Sequence, residues 1–153
     1  MSRAAAVDAR RAQLLRVWKE VFSSRPYDTV STEEIAEVAG ISTGLLYHYF
    51  ANKKGFYVAT IRAAADELLG ATRFRADVGF AEAAAEAIGN FLDFIEQNSL
   101  LYQGLMRGGV GADGEVHAIV EEVRTTFLTR TLDAAGVPVT PALRLHLYGW
   151  LGF

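Results

Sequence analysis

The chain has 153 residues, 51% of them hydrophobic, with 15 Lys+Arg against 18 Asp+Glu, nine Phe, six Tyr, two Trp and no Cys. That aromatic content excludes a disordered chain, the missing thiols exclude a disulfide frame or a thiolate metal site, and no apolar run reaches the roughly 18 residues needed to cross a bilayer. Charge in the opening MSRAAAVDARRAQ falls where a signal peptide needs its apolar core, so a cytoplasmic protein with no membrane partner is expected. The net charge of −3 averages two unlike parts. Residues 1–57 hold eight basic and six acidic side chains, a balance of +2 that includes all three Lys and leaves −5 for residues 58–153. Such asymmetry points to a polyanion-facing end.

Taken in chain order, the apolar residues recur at helical spacing. Val7, Leu14, Leu15, Trp18, Val21 and Phe22 predict a first helix, ended at Arg25-Pro26 because the residue before proline avoids the α region. Ser31 followed by Glu34 is a capping box opening a short helix over residues 32–39 that buries Ile35, Ala36 and Ala39. Gly40 falls where a left-handed residue closes that helix, Ile41 anchors the turn, and Ser42 caps a second short helix containing Leu46 and Phe50. Two short helices around a glycine-containing turn form a helix-turn-helix, whose second helix presents its N-terminal residues to a major groove. Asn52 caps a long helix over residues 52–70 marked by Phe56, Thr60, Ile61, Ala64 and Leu68. Phe80, Ala84, Ala87, Ile88, Phe91, Leu92 and Ile95 mark another, a short segment at 99–106 follows, and then a glycine-rich stretch at 108–114. Val116, Ile119, Val120, Val123, Phe127 and Leu132 form the stripe of a further helix, broken by Gly136-Val137-Pro138, and a last helix starts near Pro141. No alternating strand pattern occurs, and 24 Ala favour helix. An all-α fold follows.

The run Ile35-Ala36-x-x-Ala39-Gly40-Ile41-Ser42-x-Gly44-x-Leu46-Tyr47-x-Tyr49-Phe50-x-x-Lys53 resembles the TetR family of bacterial transcriptional repressors. With Trp18–Phe22 and Tyr27-Asp28-Thr29-Val30 upstream, the likeness covers residues 10–60. It implies an N-terminal three-helix DNA-binding domain, placed at residues 1–52, and a helical effector-binding and dimerisation domain at residues 53–153. It also implies a homodimer on a pseudo-palindromic operator, released by a small-molecule effector, as a repressor would be. Carried onto this chain, the likeness makes Thr43, Gly44, Leu45 and His48 the groove-facing residues behind the Ser42 cap. Thr43 and His48 offer hydrogen bonds to base edges, Leu45 a contact for a thymine methyl, and Gly44 close backbone approach. Tyr47, Tyr49, Lys53, Ser31 and Thr32 are the expected phosphate contacts, with Lys53 at a helix N-terminus that already favours anions. Two features depart from the family. Gly55 replaces a residue that is often charged, at small expected cost near a helix end. The recognition helix has no Arg, Asn or Gln, so specificity leans on water, shape and backbone contacts.

Phe91, Phe94, Tyr102, Met106, Phe127, Leu145 and Tyr148 are the candidate effector lining, an aromatic and aliphatic set suited to an apolar or amphipathic molecule. No metal or cofactor is expected, since neither His117 nor His146 has a second His at metal spacing on its own helix. No nucleophile stands beside a base, so no enzyme is expected. The glycine-rich stretch has neither a preceding strand nor a following Lys-Ser/Thr and reads as a loop. The closing run Tyr148-Gly149-Trp150-Leu151-Gly152-Phe153 is apolar without a polar cap. It is expected to be a cut inside a longer chain, leaving dimerisation by this fragment open. The alternative is a helical protein-interaction module using that apolar surface, with its helix-turn-helix vestigial.

Overall fold

The structure, a computed structural model, describes residues 3–17, 21–22, 25–106, 113–136, 138, 140–143, 145 and 149. Every regular element among them is helical. They are α1 (Arg3–Leu15), α2 (Thr32–Val38), α3 (Thr43–Phe50), α4 (Lys53–Ala71), α5 (Phe80–Gln97), α6 (Ser99–Met106) and α7 (Gly114–Ala134), with one 3-10 turn at Tyr27–Thr29. The chain turns helical again at 141–143, where Thr140 Oγ1 accepts the Leu143 N–H at 3.2 Å. That matches the expected start at Pro141.

α4 is the spine. Its apolar residues Phe56, Ile61, Ala64 and Leu68 are buried, and it packs along α7 and against α1, α3 and α5. One hydrophobic cluster runs from Leu14, Phe22 and Val30 through Ile35, Leu46, Phe50 and Phe56 to Leu101, Val116 and Ile119. At its centre Phe56 meets Phe22 at 6.1 Å and Phe50 edge-on at 5.0 Å, while Tyr57 meets Phe22 at 5.5 Å. Burial pushes the Tyr57 hydroxyl up to about 12. The buried polar residues are satisfied locally: Thr60, Thr72 and Asn98 each donate to the carbonyl four residues back. Among the described residues no buried side-chain nitrogen or oxygen lacks a partner.

One expectation changes, and the exposure of two helices is uneven. The first helix is not continuous. Arg16 and Val17 donate to the carbonyls three residues back and tighten the chain into a turn after Leu15, and helix reappears at Val21–Phe22. Val7 is exposed, so it lies off the buried face. On α5 the small residues Ala83 and Ala87 take the buried line, which lets helices approach closely, whereas Phe80, Ile88 and Leu92 face outward. The sequence stripe was wide, and only half of it is covered. The glycine-rich stretch up to residue 112, His146, Tyr148, Trp150 and Phe153 lie outside the described residues.

Between α3 and α4 the chain makes a tight reversal. Ala51 has φ 60° and ψ −42°, and Asn52 donates its N–H to the Phe50 carbonyl at 2.7 Å. This is a γ-turn of the positive-φ kind, a strained conformation for a residue with a β-carbon. Ala51→Gly is therefore expected to stabilise the fold by about 0.5–1 kcal/mol. A thermal melt reads the shift, and an unchanged or lower Tm would contradict it.

Candidate nucleic-acid interface

The caps that shape the helix-turn-helix are all formed. Ser31 Oγ accepts the Glu34 N–H at 3.1 Å, and Glu34 Oε2 accepts the Ser31 N–H at 2.7 Å. That backbone N–H, followed by the Arg25 guanidinium at 2.9 Å, holds the Glu34 carboxyl below its ordinary range. α2 closes in a Schellman motif: Ile41 N–H reaches the Ala36 carbonyl, Gly40 N–H the Glu37 carbonyl, and Gly40 sits at φ 64°. Ser42 Oγ then accepts the Leu45 N–H at 3.2 Å and starts α3. Ile41 is partly buried and packs on the core, as an anchor for the turn must.

This turn fixes the rotation of α3. Leu46 and Phe50 are buried, so Gly44, Leu45, Tyr47 and His48 are left exposed on the other side. Thr43 is half-buried at the N-terminus. Tyr49 also is half-buried and packs on the core, with its ring against His48 at 5.3 Å, so it serves the scaffold as well as the surface. Ser31 is exposed and Thr32 half-buried at the start of α2.

Asn52 Oδ1 accepts the Gly55 N–H at 2.7 Å and caps α4. Lys53 and Lys54 therefore occupy the first turn, where the helix dipole disfavours cations by about 0.3–1 kcal/mol each. The two side chains splay apart. Lys53 Nζ lies 4.2 Å from the centroid of the Tyr27 ring. Lys54 Nζ bonds Asp113 at 2.6 Å, and Asp113 itself caps α7 by accepting the Glu115 N–H. The Asp113 hydrogen bond raises the Lys54 ammonium, and Lys54 holds the Asp113 carboxyl low. Two further ties join the same helices: Arg62 with Glu122, and Arg130 with the Leu69 carbonyl. Sequence reading had not found them, because their partners lie about sixty residues apart.

Gly55, expected only to cost little at a helix end, has a structural use there. A β-carbon at this position would overlap the Phe50 carbonyl oxygen, the acceptor of the γ-turn. The glycine is needed for α3 and α4 to meet.

The expected effector residues are brought together only in part. Phe91 and Phe127 meet at 6.2 Å, and Phe127 meets Phe74 at 6.3 Å. Phe94 is half-buried against the core. Tyr102 and Met106 are exposed, Leu145 is 74% exposed, and Tyr148 lies outside the described residues. A cleft of about 630 Å³ opens beside the stacked Phe74 and Phe80 and is lined by Arg73, Arg75, Arg130 and Asp133. None of the six candidates among the described residues lines it. Among the described residues no group of His, Cys, Asp and Glu could hold a metal, and no helix is long and apolar enough to cross a membrane.

A capped turn presenting an exposed short helix, flanked by cations at the next helix N-terminus, is the arrangement of a helix-turn-helix protein. Residues 14–60 match the family described as bacterial regulatory proteins, tetR family. The chain is 33% identical over 116 residues to the HTH-type transcriptional activator FasR of Mycolicibacterium smegmatis, covering 74% of this chain and 53% of that protein. It is 34% identical over 64 residues to the HTH-type transcriptional repressor KstR2 of Rhodococcus jostii, covering 42% of this chain and 31% of that protein. A tetR-family transcriptional regulator from Streptomyces coelicolor superposes with a TM-score of 0.85 at 33% identity, over 95% of this chain and 66% of that one. The chain belongs to the TetR family of bacterial transcriptional regulators. It spans about half the length of FasR and less than two thirds of the Streptomyces chain.

Proposed function

We propose that this chain is the reading head and part of the sensor body of a cytoplasmic, ligand-responsive transcriptional repressor that binds a pseudo-palindromic operator as a homodimer. Residues 1–52 form the DNA-binding domain and residues 53–153 the effector and dimerisation domain. The observation that carries the reading is the surface of α3. Gly44, Leu45, Tyr47 and His48 are exposed while Leu46 and Phe50 hold the helix to the core. Ser42 and Thr43 at its start, Tyr49 at its edge, and the flanking Ser31, Thr32 and Lys53 complete the contact set. Two such helices about 34 Å apart enter successive major grooves.

Phe91, Phe94, Tyr102, Met106, Phe127, Leu145 and Tyr148 are the proposed effector set, of which Phe91 and Phe127 are in ring contact. The continuation of the Phe91–Phe127 contact into Phe74, Phe80 and the arginine-lined cleft favours an amphipathic molecule with an anionic end. Its signal would travel along α7 to α4 through the Lys54–Asp113, Arg62–Glu122 and Arg130–Leu69 ties. The energy available is the difference in effector affinity between the two states.

The test is a gel-shift series on genomic fragments at several salt concentrations. Lys53→Ala is expected to weaken all complexes alike and to flatten the salt slope by about one unit per phosphate lost. Thr43→Ala and His48→Ala are expected to relax choice at one base position each, by about 1–3 kcal/mol. Unchanged binding in all three variants would remove the site assignment, and no shift by the parent chain would favour a protein-interaction module.

A further inference from the structure

Tyr27 sits in the 3-10 turn four residues before Ser31. Its ring stands 4.6 Å from the Tyr57 ring and 6.4 Å from that of Phe22, so it is fixed to the aromatic core. The same ring also meets the Lys53 ammonium, 4.2 Å from its centroid. An ammonium over an aromatic face keeps donors free for a second, anionic partner while its stem is held in place. Lys54, one residue further on, is bonded to Asp113 and acts on the Tyr27 hydroxyl through its charge.

We propose that Tyr27 is a positioning residue for DNA binding: its ring, anchored on Tyr57, holds the Lys53 ammonium ready for a backbone phosphate. The same turn leads directly into Ser31 and Thr32, so one aromatic residue joins the two phosphate-contacting flanks of the helix-turn-helix. The proposal rests on the reading of Lys53 as a phosphate contact. Holding a long side chain in its bound geometry beforehand spares the ordering that a free lysine would undergo on binding.

The experiment measures affinity of the full chain for a mixed-sequence DNA duplex by fluorescence anisotropy across a salt series. It compares the parent with Lys53→Gln, Tyr27→Leu and the double variant. Tyr27→Leu is expected to weaken binding by about two- to tenfold when Lys53 is present, and to have no further effect once Lys53→Gln is made. Equal losses from Tyr27→Leu in both backgrounds, or no loss in either, would overturn the proposal while leaving Lys53 on the DNA. No effect of Lys53→Gln alone is a different result and removes the phosphate reading itself.

Two ring variants guard against a fold defect at this packed position. Tyr27→Phe keeps the aromatic face and is expected to bind within about twofold of the parent. Pentafluorophenylalanine in place of Tyr27 keeps the shape but reverses the charge of the ring face, and is expected to lose affinity as Tyr27→Leu does. Equal binding by the two ring variants would overturn the cation–ring role.

Discussion

Phe56→Ala is expected to lower stability by about 3–5 kcal/mol, a large fraction of the roughly 5–15 kcal/mol that holds a domain folded. The residue is fully buried and stands where three elements converge. Its ring meets Phe50 of α3 and Phe22 of the N-terminal segment, and it lies in the first turns of α4. Truncation removes the transfer energy of the ring and leaves a cavity that two neighbouring rings are poorly shaped to fill. In a chain of 153 residues a loss of that size lowers Tm by roughly 10 °C or more. DNA binding should fall with it, because Phe50 is the buried foot of the recognition helix. Phe56→Leu keeps most of the volume and is expected to recover more than half of the loss. A truncation at an exposed apolar position such as Leu92 is the control, expected to change stability by less than about 0.5 kcal/mol. Thermal melting with a urea titration reads all three. A fall of only a few degrees for Phe56→Ala would show that α4 is not shared between the head and the body.

What the sequence revealed and what it concealed divide along the range of the interactions. The Ser31–Glu34 box, the left-handed Gly40, and the Ser42 and Asn52 caps were legible because each is settled within four residues. The buried and exposed sides of α3 were legible for the same reason, since Leu46 and Phe50 lie one turn apart. The outward facing of Ile88 and Leu92 was not legible, because periodicity gives the width of an apolar stripe but not which part of it a neighbour covers. Tyr27 over Lys53 and Lys54 on Asp113 were invisible, since both depend on how distant segments come to rest. The effector set was chosen from residue type alone, and the contacts unite Phe91 and Phe127 while leaving Leu145 exposed.

Gly55→Ala is the second large expected effect, and its sign opposes the usual rule. In an open helix, alanine is favoured over glycine by about 1 kcal/mol. Gly44 meets that condition: a β-carbon there has nothing within 4 Å, so alanine should stabilise the free protein while obstructing close approach to DNA. At Gly55 the added carbon would overlap the Phe50 carbonyl oxygen. That oxygen is fixed on two sides. It accepts the Asn52 N–H across the γ-turn, and its own residue is buried against Phe56. A flexible side chain could swing aside, but a backbone carbonyl moves only if α3 moves with it. The Gly55 N–H bond to Asn52 is strained by the same displacement, so the cap of α4 weakens too. A net loss of about 1–3 kcal/mol is expected after the gain in helix propensity is counted. The displaced element is the recognition helix, so operator affinity should fall further than stability alone accounts for, even at temperatures where the variant is fully folded. Ala51→Gly, by relaxing the adjoining turn, should restore part of both. Tm and gel-shift affinity of the single and double variants decide the matter. A Gly55→Ala protein as stable as the parent and binding equally well would mean that the junction accommodates a β-carbon without moving α3.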